Sequence, residues 1–565
     1  MRRGAGRRLV PGLSAALCTL ATAVAFAPSA AAREVYVANA GAGTVSVIET
    51  TANAVVATVP VGGKPVDVAI SPDGATAYVT DTAIDSVHRI DTATRQPVGA
   101  PIEVGDGPRG IAIAPDGGRA FVANSEADTV TVLGLPAAAP IATIPLAAGA
   151  EPEGVAIAPN GATAFVAQRG GNVALIDTAT NAVSGAVLTG VGMGPARLSL
   201  EPDGARGFVS NSNSTTVSVF NTISATLLGA ALPTGTNPAG VAVNPNGPRT
   251  YAAAQSADTV AAIDTLSHQL VGPPIGGFAE PTGIAIAPDG SRAYVTNRSA
   301  ASVTVLDTRD NLPVATIAVG DEPEGVAVVP NQTPAASFAI ASPRRDAGTP
   351  IAFDASASSD PDGRVVLYAW EFGDGESEVT SGPVTEHVYA RAGPHVVRLT
   401  VTDEENCSGA LLFTGQTVAC RGGAVASARL SLDVRDATPP DFRLGGERRQ
   451  PLGRRVTVVG RCPLERCRMT ARGSSVSVLR RPGGTRKARG KTSAAGVELA
   501  NGVERRVRLR LAPKAYRAAR RALAGGGRAL VKVRAAGADA AGNERRRSLR
   551  IRLFLPSPKK QKGSR

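Results

Sequence analysis

Aromatic side chains are scarce in this 565-residue chain, at 4% of the sequence with a single Trp. That scarcity excludes large aromatic-lined pockets and suits tightly stacked sheets of small side chains. Histidine is rarer still, with four in all. His88 and His268 stand isolated, which nearly excludes a His-rich metal or redox centre in the N-terminal half. His88 lies on an alternating run, Ser86-Val87-His88-Arg89-Ile90, and is expected to face the surface. No Gly-x-Ser-x-Gly elbow, phosphate-cradling glycine loop or paired metal-ligand motif occurs. Beyond the first 32 residues no apolar run is long enough to cross a bilayer, and the C-terminus lacks a sortase-type motif.

Those first 32 residues read as an export signal. Arg2, Arg3, Arg7 and Arg8 precede an apolar stretch from Leu13 to Phe26, and Ala30-Ala31-Ala32 offers small residues for cleavage. Leu17 before Cys18 is wrong for lipidation. Four cysteines then remain. Cys407 and Cys420 flank an insertion, and Cys462 and Cys467 form a tight pair; in an oxidising compartment two local disulfides, Cys407–Cys420 and Cys462–Cys467, are expected. Zinc competes for the second pair, but no histidine or further close cysteine pair lies near it. The formal net charge of +13 conceals a division: residues 436–565 hold 35 Lys+Arg against 8 Asp+Glu, while the rest of the chain is net acidic.

A short phrase recurs, an apolar run of strand length followed by a Pro-Asp-Gly turn and a second β-rich run. Its prolines stand at 72, 115, 159, 202, 245, 288 and 330. A period in the low forties made only of strands and turns points to propeller blades. Tyr294-Val295-Thr296-Asn297, with variants Tyr78-Val79-Thr80-Asp81 and Tyr36-Val37-Ala38-Asn39, gives the stretch 34–332 a resemblance to the YVTN family of β-propeller repeat proteins. The first repeat begins in second-strand sequence at Glu34-Val35-Tyr36, and the last ends in first-strand sequence at Gly325-Val326-Ala327-Val328. Residues 325–329 should therefore pair beside 35–39 and close a seven-bladed ring, removing its open edges.

Residues that recur in every blade are read as architecture. Asp73, Asp116, Asp203 and Asp289 are replaced by Asn160 and Asn246 at the same turn position, a change that keeps turn geometry and abolishes a general base. Asp91, Asp177, Asp264 and Asp307, with Asn221 once, are read the same way. Exceptions to the pattern are the candidates for chemistry. The Pro-x-Gly that opens the innermost strand varies at Arg109, Glu153, Ala239, Thr282 and Glu324; Arg197 replaces its Gly once, and Lys64 and Asp67 surround Pro65. Lys64, Arg109, Glu153, Arg197 and Glu324 are thus candidate ligand contacts at the mouth of the axial channel, with solvated loop charge as the competing reading. Some seven-bladed propellers that look similar are lactonases or carry redox cofactors; no cofactor is expected here.

After Thr333-Pro334 the period stops. Phe353-Asp354-Ala355-Ser356 and Ser359-Asp360-Pro361-Asp362-Gly363 are followed by Trp370-Glu371-Phe372-Gly373-Asp374-Gly375, His387-Val388-Tyr389 and Val397-Arg398-Leu399-Thr400-Val401-Thr402-Asp403. These stretches, in that order, give residues 336–435 a resemblance to the PKD domain, an immunoglobulin-like sandwich common in secreted and surface proteins. Trp370 should be core. Asp360 and Asp362 offer hard oxygens that could hold Ca²⁺, but the reading adopted is turn formation with no metal. The insertion from Glu404 to Gly423 should be a stapled hairpin projecting from one end.

Residues 436–556 alternate strictly, with Val507, Leu509 and Leu511 against Arg506, Arg508 and Arg510, and are read as a second, strongly basic Ig-like β-sandwich with a short helix opened by Pro513; 557–565 form a basic tail. With only Phe442, Tyr516 and Phe554 to stack on bases, sequence-specific nucleic-acid binding is not expected. Anionic cell-envelope polymers are the expected partner of this domain, against an Arg-rich surface of biased base composition. The fold class is therefore all-β throughout, a seven-bladed propeller followed by two β-sandwiches. The function expected is a secreted or surface-associated, non-catalytic binding protein that holds a surface protein or glycan ligand. The alternative is an extracellular lactonase-like or other hydrolase working at the channel mouth.

Overall fold

The computed structural model describes residues 33–413, 418–421, 426–481 and 484–556. The export signal expected at 1–32 and the basic tail at 557–565 lie outside the described residues. The chain divides into two compact units. One holds the repeats through Ala335 together with Ser359–Val366 and Val401–Ala426; the other holds Ala336–Ser358, Leu367–Thr400 and the chain from Ser427 onward.

The repeats form seven antiparallel sheets among the described residues, each of four or five strands. The composite blade closes as the reading frame requires. Strand Pro323–Val328 pairs with Glu34–Asn39 in the register Val35↔Val328, Tyr36↔Ala327 and Val37↔Val326, and Thr44–Glu49 and Ala54–Pro60 complete the sheet. In three other blades the outermost strand shrinks to two-residue pieces, such as Gln96–Pro97 with Ile102–Glu103. The two middle strands of a blade are buried on both faces, because each sheet packs between two neighbours: Val45, Val47 and Tyr36 meet Val68, Ile70 and Val79 of the next blade.

Turn side chains do what their recurrence implies. The Oδ1 atoms of Asp73, Asp116, Asn160, Asp203 and Asp289 each accept the backbone N–H two residues on, at 2.8–3.0 Å. Asp91, Asp177, Asn221, Asp264 and Asp307 likewise accept backbone N–H groups of the turns that follow them.

A second recurring device bolts the middle strands together. The last residue of the second strand is Asn in four blades, and its amide donates to a hydroxyl of the third strand: Asn39 to Ser46 at 2.9 Å, Asn124 to Thr131 at 2.8 Å, Asn211 to Ser218 at 3.0 Å and Asn297 to Thr304 at 2.8 Å. One blade replaces both partners, with Asp81 Oδ2 lying 3.0 Å from His88 Nε2. His88 is therefore buried, contrary to the surface position expected from alternation; a propeller strand has no solvent face to alternate toward. Burial works against the Asp81 carboxylate, but its hydrogen bonds with His88 and with the backbone N–H groups of Lys64 and Ala83 outweigh that and hold its pKa below the ordinary value.

Where it is described, the Glu404–Gly423 insertion packs on the propeller rather than projecting freely; residues 414–417 and 422–423 lie outside the described residues. Strands Ala410–Phe413 and Val418–Arg421 pair as a hairpin, the Cys407–Cys420 disulfide spans it with a Cα separation of 5.6 Å, and Phe413 is buried against Ala69, Ile111 and Val122 of the propeller. The Phe413 side chain gains more by packing on the propeller than by entering water.

In the other unit, two sheets enclose Trp370, which is 1% exposed and meets Phe338 edge-on at 5.3 Å. Beyond residue 436 a three-stranded and a six-stranded sheet form a second sandwich. Val456, Val458 and Leu509 of the smaller sheet pack on Met469, Val531 and Ile551 of the larger. Helix Pro513–Ala524 turns Ala515, Ala519 and Ala522 inward, and Cys462 is bonded to Cys467.

The Asp81–His88 pair generates a test. His88→Ser leaves a buried carboxylate without its partner and should cost about 3 kcal/mol in denaturant unfolding. Adding Asp81→Asn rebuilds the Asn–hydroxyl bolt of the other blades and should recover most of that loss.

Candidate ligand site at the propeller mouth

All seven innermost strands begin at the same end of the ring, with Pro65, Pro108, Pro152, Pro195, Pro238, Pro281 and Pro323. The third residue of each points at the crowded hub. Five are glycine. A Cβ at Gly110, Gly154, Gly240 or Gly283 would run into a backbone carbonyl of the adjacent inner strand, and one at Gly325 would lie 2.7 Å from the Asp67 Cα. The other two positions hold Asp67 and Arg197, and these two exceptions meet: Arg197 Nη1 lies 2.5 Å from Asp67 Oδ2. The Ile111 N–H also donates to Asp67 Oδ2, at 3.2 Å.

Above this pair opens a cavity of about 270 Å³ whose charged lining is four guanidinium groups and three carboxylates. Arg109, Glu153, Arg197 and Glu324, four of the five residues expected at the mouth, line it. Lys64 does not; it is exposed outside the lining and acts there through its field on Glu324. Two further arginines complete the ring. Arg169 Nε lies 3.2 Å from Glu153 Oε1, and Arg298 Nε lies 3.2 Å from Glu324 Oε1. Arg109 is looser, 3.6 Å from Glu153. Arg169 and Arg298 follow the last residue of a second strand, where the other blades have Ala40, Thr82, Ser125, Ser212 and Gln255. A comparison of that position across the repeats would have found them.

The lining carries four guanidinium groups against three carboxylates. Burial works against the Arg197 charge, yet Asp67, Glu153 and Glu324 overcome it and raise its pKa further. Burial raises the Glu324 pKa, opposed by Arg298, Arg197, Lys64 and Arg109. Among the described residues no histidine or cysteine lines the cavity. On the other side of the Asp67–Arg197 pair, which lines both, lies a space of about 40 Å³ among Ile111, Val155, Leu198, Ile284 and Phe413.

A second concentration of charge lies where Ser359–Val366 and Val401–Ala426 join the propeller unit. Arg33, 8% exposed, pairs with Asp362 at 3.3 Å and Glu405 at 2.5 Å, and donates to Asn331 Oδ1 at 2.9 Å. Asp360, Asp403 and Glu405 each bring an oxygen within 4.8 Å of the others, an arrangement that could hold a cation. Asp436, Glu465 and Asp539 do the same in the other unit. Burial, then the charges of Asp362, Asp403 and Glu405, push the Asp360 carboxyl up to about 8.

Comparison with known proteins matches residues 21–271 to the family described as "Lactonase, 7-bladed beta-propeller" and residues 331–418 to the PKD domain. The chain is 44% identical over 55 residues to the collagenase ColQ1 of Bacillus cereus, covering 10% of this chain and 6% of that protein. It is 36% identical over 67 residues to a microbial collagenase of Vibrio alginolyticus, covering 12% and 8%. The chain thus spans less than a tenth of the length of these curated relatives. Among solved structures, the hydrazine synthase of Kuenenia stuttgartiensis aligns at 21% identity and TM-score 0.43, over 56% of this chain and 95% of that one. A protein of Bacteroides fragilis described as a candidate 6-phosphogluconolactonase aligns at 17% identity and TM-score 0.46, over 53% and 98%.

Two measurements follow from these charges. Asp67→Gly and Arg197→Gly each strand one member of the hub pair, and a double-mutant cycle should return a coupling of about 1–3 kcal/mol, with the double variant more stable than the sum of the single losses requires. For Asp360 the raised pKa means that the folded state holds a proton the unfolded state has released. Its contribution is fully present below the unfolded value and is lost as pH rises through about 8. In chelator-treated buffer, Asp360→Asn should raise Tm at pH 8 and leave it unchanged at pH 4.

Proposed function

We propose that this chain is an exported, non-catalytic binding protein. Its propeller mouth holds the acidic group of a surface glycan or protein, and its basic C-terminal sandwich holds polyanionic envelope material. The observation that carries this reading is the pairing at the mouth. Each of its three carboxylates sits against an arginine: Asp67 with Arg197, Glu153 with Arg169 and Glu324 with Arg298. Carboxylates tied into ion pairs are less free to take a substrate proton, though burial raises the Glu324 pKa, whereas guanidinium groups with donors to spare are suited to a carboxylate or phosphate. Two disulfides and a PKD domain support an extracellular location. Among the described residues no helix is long and apolar enough to cross a membrane.

A second reading, a lactonase-like enzyme at the same mouth, is favoured by the family match over residues 21–271. Calorimetry of the full chain with small polycarboxylates and sugar acids, alongside a lactone and ester turnover panel, separates the two. The binding reading expects one-to-one association weakened roughly tenfold by Arg169→Gln or Arg298→Gln, with no turnover. Robust turnover abolished by Arg109→Ala or Glu153→Ala would establish the enzyme reading in its place.

A further inference from the structure

The six-stranded sheet of the C-terminal sandwich turns one face to the core and the other to solvent. Register fixes what the outer face carries. Arg472 stands directly opposite Arg534, and Lys532 opposite Arg550, with Ser474 between Lys532 and Lys491 in the same row. Directly opposed residues have Cβ atoms about 5 Å apart, and like charges there are destabilising. Arg472, Arg534 and Arg550 are exposed and Lys532 is half-buried, and none of them has a carboxylate within ion-pair distance among the described residues. On this face Glu498 is paired with Arg468 and Glu544 with Arg546, so both carboxylates are already committed.

Between the long basic side chains the floor is made of small residues. Thr470, Gly496 and Ala536 line a groove of about 850 Å³, and Arg472, Lys532 and Arg534 stand over it. Rows of cations recur about 7 Å apart along the strands, the spacing of alternate residues. A floor without bulk lets a polymer backbone lie on the sheet. Paired guanidinium groups at this separation can each offer an edge to the oxygens of one phosphate.

We infer that this groove binds a linear polymer of phosphodiester-linked, base-free units, which lies across the strands and neutralises the opposed cation pairs. The inference rests on the polyanion-holding role proposed above for this domain, and adds the face and the chemistry of the partner. Nucleic acid shares the phosphodiester backbone, but the groove offers no aromatic side chain among the described residues on which a base could stack.

The test uses the full chain and fluorescence anisotropy with labelled linear poly(glycerol phosphate), mixed-sequence single-stranded DNA serving as the base-bearing arm. A face variant carries Arg472→Gln, Lys532→Gln and Arg534→Gln. A control removes the same charge from the smaller sheet with Arg455→Gln, Arg508→Gln and Arg510→Gln. The face variant should bind poly(glycerol phosphate) roughly tenfold more weakly and lower the salt slope by about 2–3, with the control changing little. Its Tm should hold or rise, because like-charge pairs are relieved. Equal losses in both variants would overturn the groove assignment while leaving polyanion binding intact. Tighter binding of DNA than of poly(glycerol phosphate) would overturn the base-free assignment. A wild-type chain that binds neither at low salt would remove the polyanion role itself.

Discussion

Seven strands converge on the propeller axis so closely that the third residue of each has almost no room for a side chain. Five blades satisfy that constraint with glycine, because a Cβ would meet the adjacent inner strand. The two that do not, at Asp67 and Arg197, place opposite charges that meet at the hub. Steric crowding thus becomes an electrostatic feature. A charge forced into so narrow a space must find a counter-charge there, since burying it alone would cost several kcal/mol. The remaining mouth residues extend the same logic outward, with Glu153 and Glu324 each held by an arginine from an adjoining loop.

Ring closure makes this possible. The hub exists only because Pro323–Val328 pairs with Glu34–Asn39, segments almost the whole propeller apart in sequence. Closure leaves no open edge between first and last blades, and the Phe413 hairpin covers apolar surface near the far end of the axis. The mouth is consequently wide, about 270 Å³, while the space beyond the Asp67–Arg197 pair narrows to about 40 Å³.

Much of this is legible in sequence. Periodicity locates the blades, the half-repeats at each end give the closure register, and local cysteine spacing gives both disulfides. Reading exceptions to the repeat identifies Arg109, Glu153, Arg197 and Glu324. Arg169 and Arg298 escape because they sit in a different loop, just after the second strand, where the other blades carry uncharged residues, so only a comparison at that position reveals them. His88 is misplaced for a physical reason: strand alternation assumes one wet face, and a blade packed on both sides has none. Lys64 is exposed and does not line the cavity, and only its field reaches Glu324, a distinction that sequence proximity to Pro65 does not reveal. The hairpin at Cys407–Cys420 looks like a free projection until Phe413 is seen against the propeller.

The central claim is that residues breaking the repeat assemble one anion-receptive hub. A crystal structure of the full chain grown with a small tricarboxylate tests it directly. The account predicts the anion held at full occupancy among Arg109, Arg169 and Arg298, with Arg197 still paired to Asp67. Arginines splayed into solvent and the anion bound elsewhere, or nowhere, would contradict it.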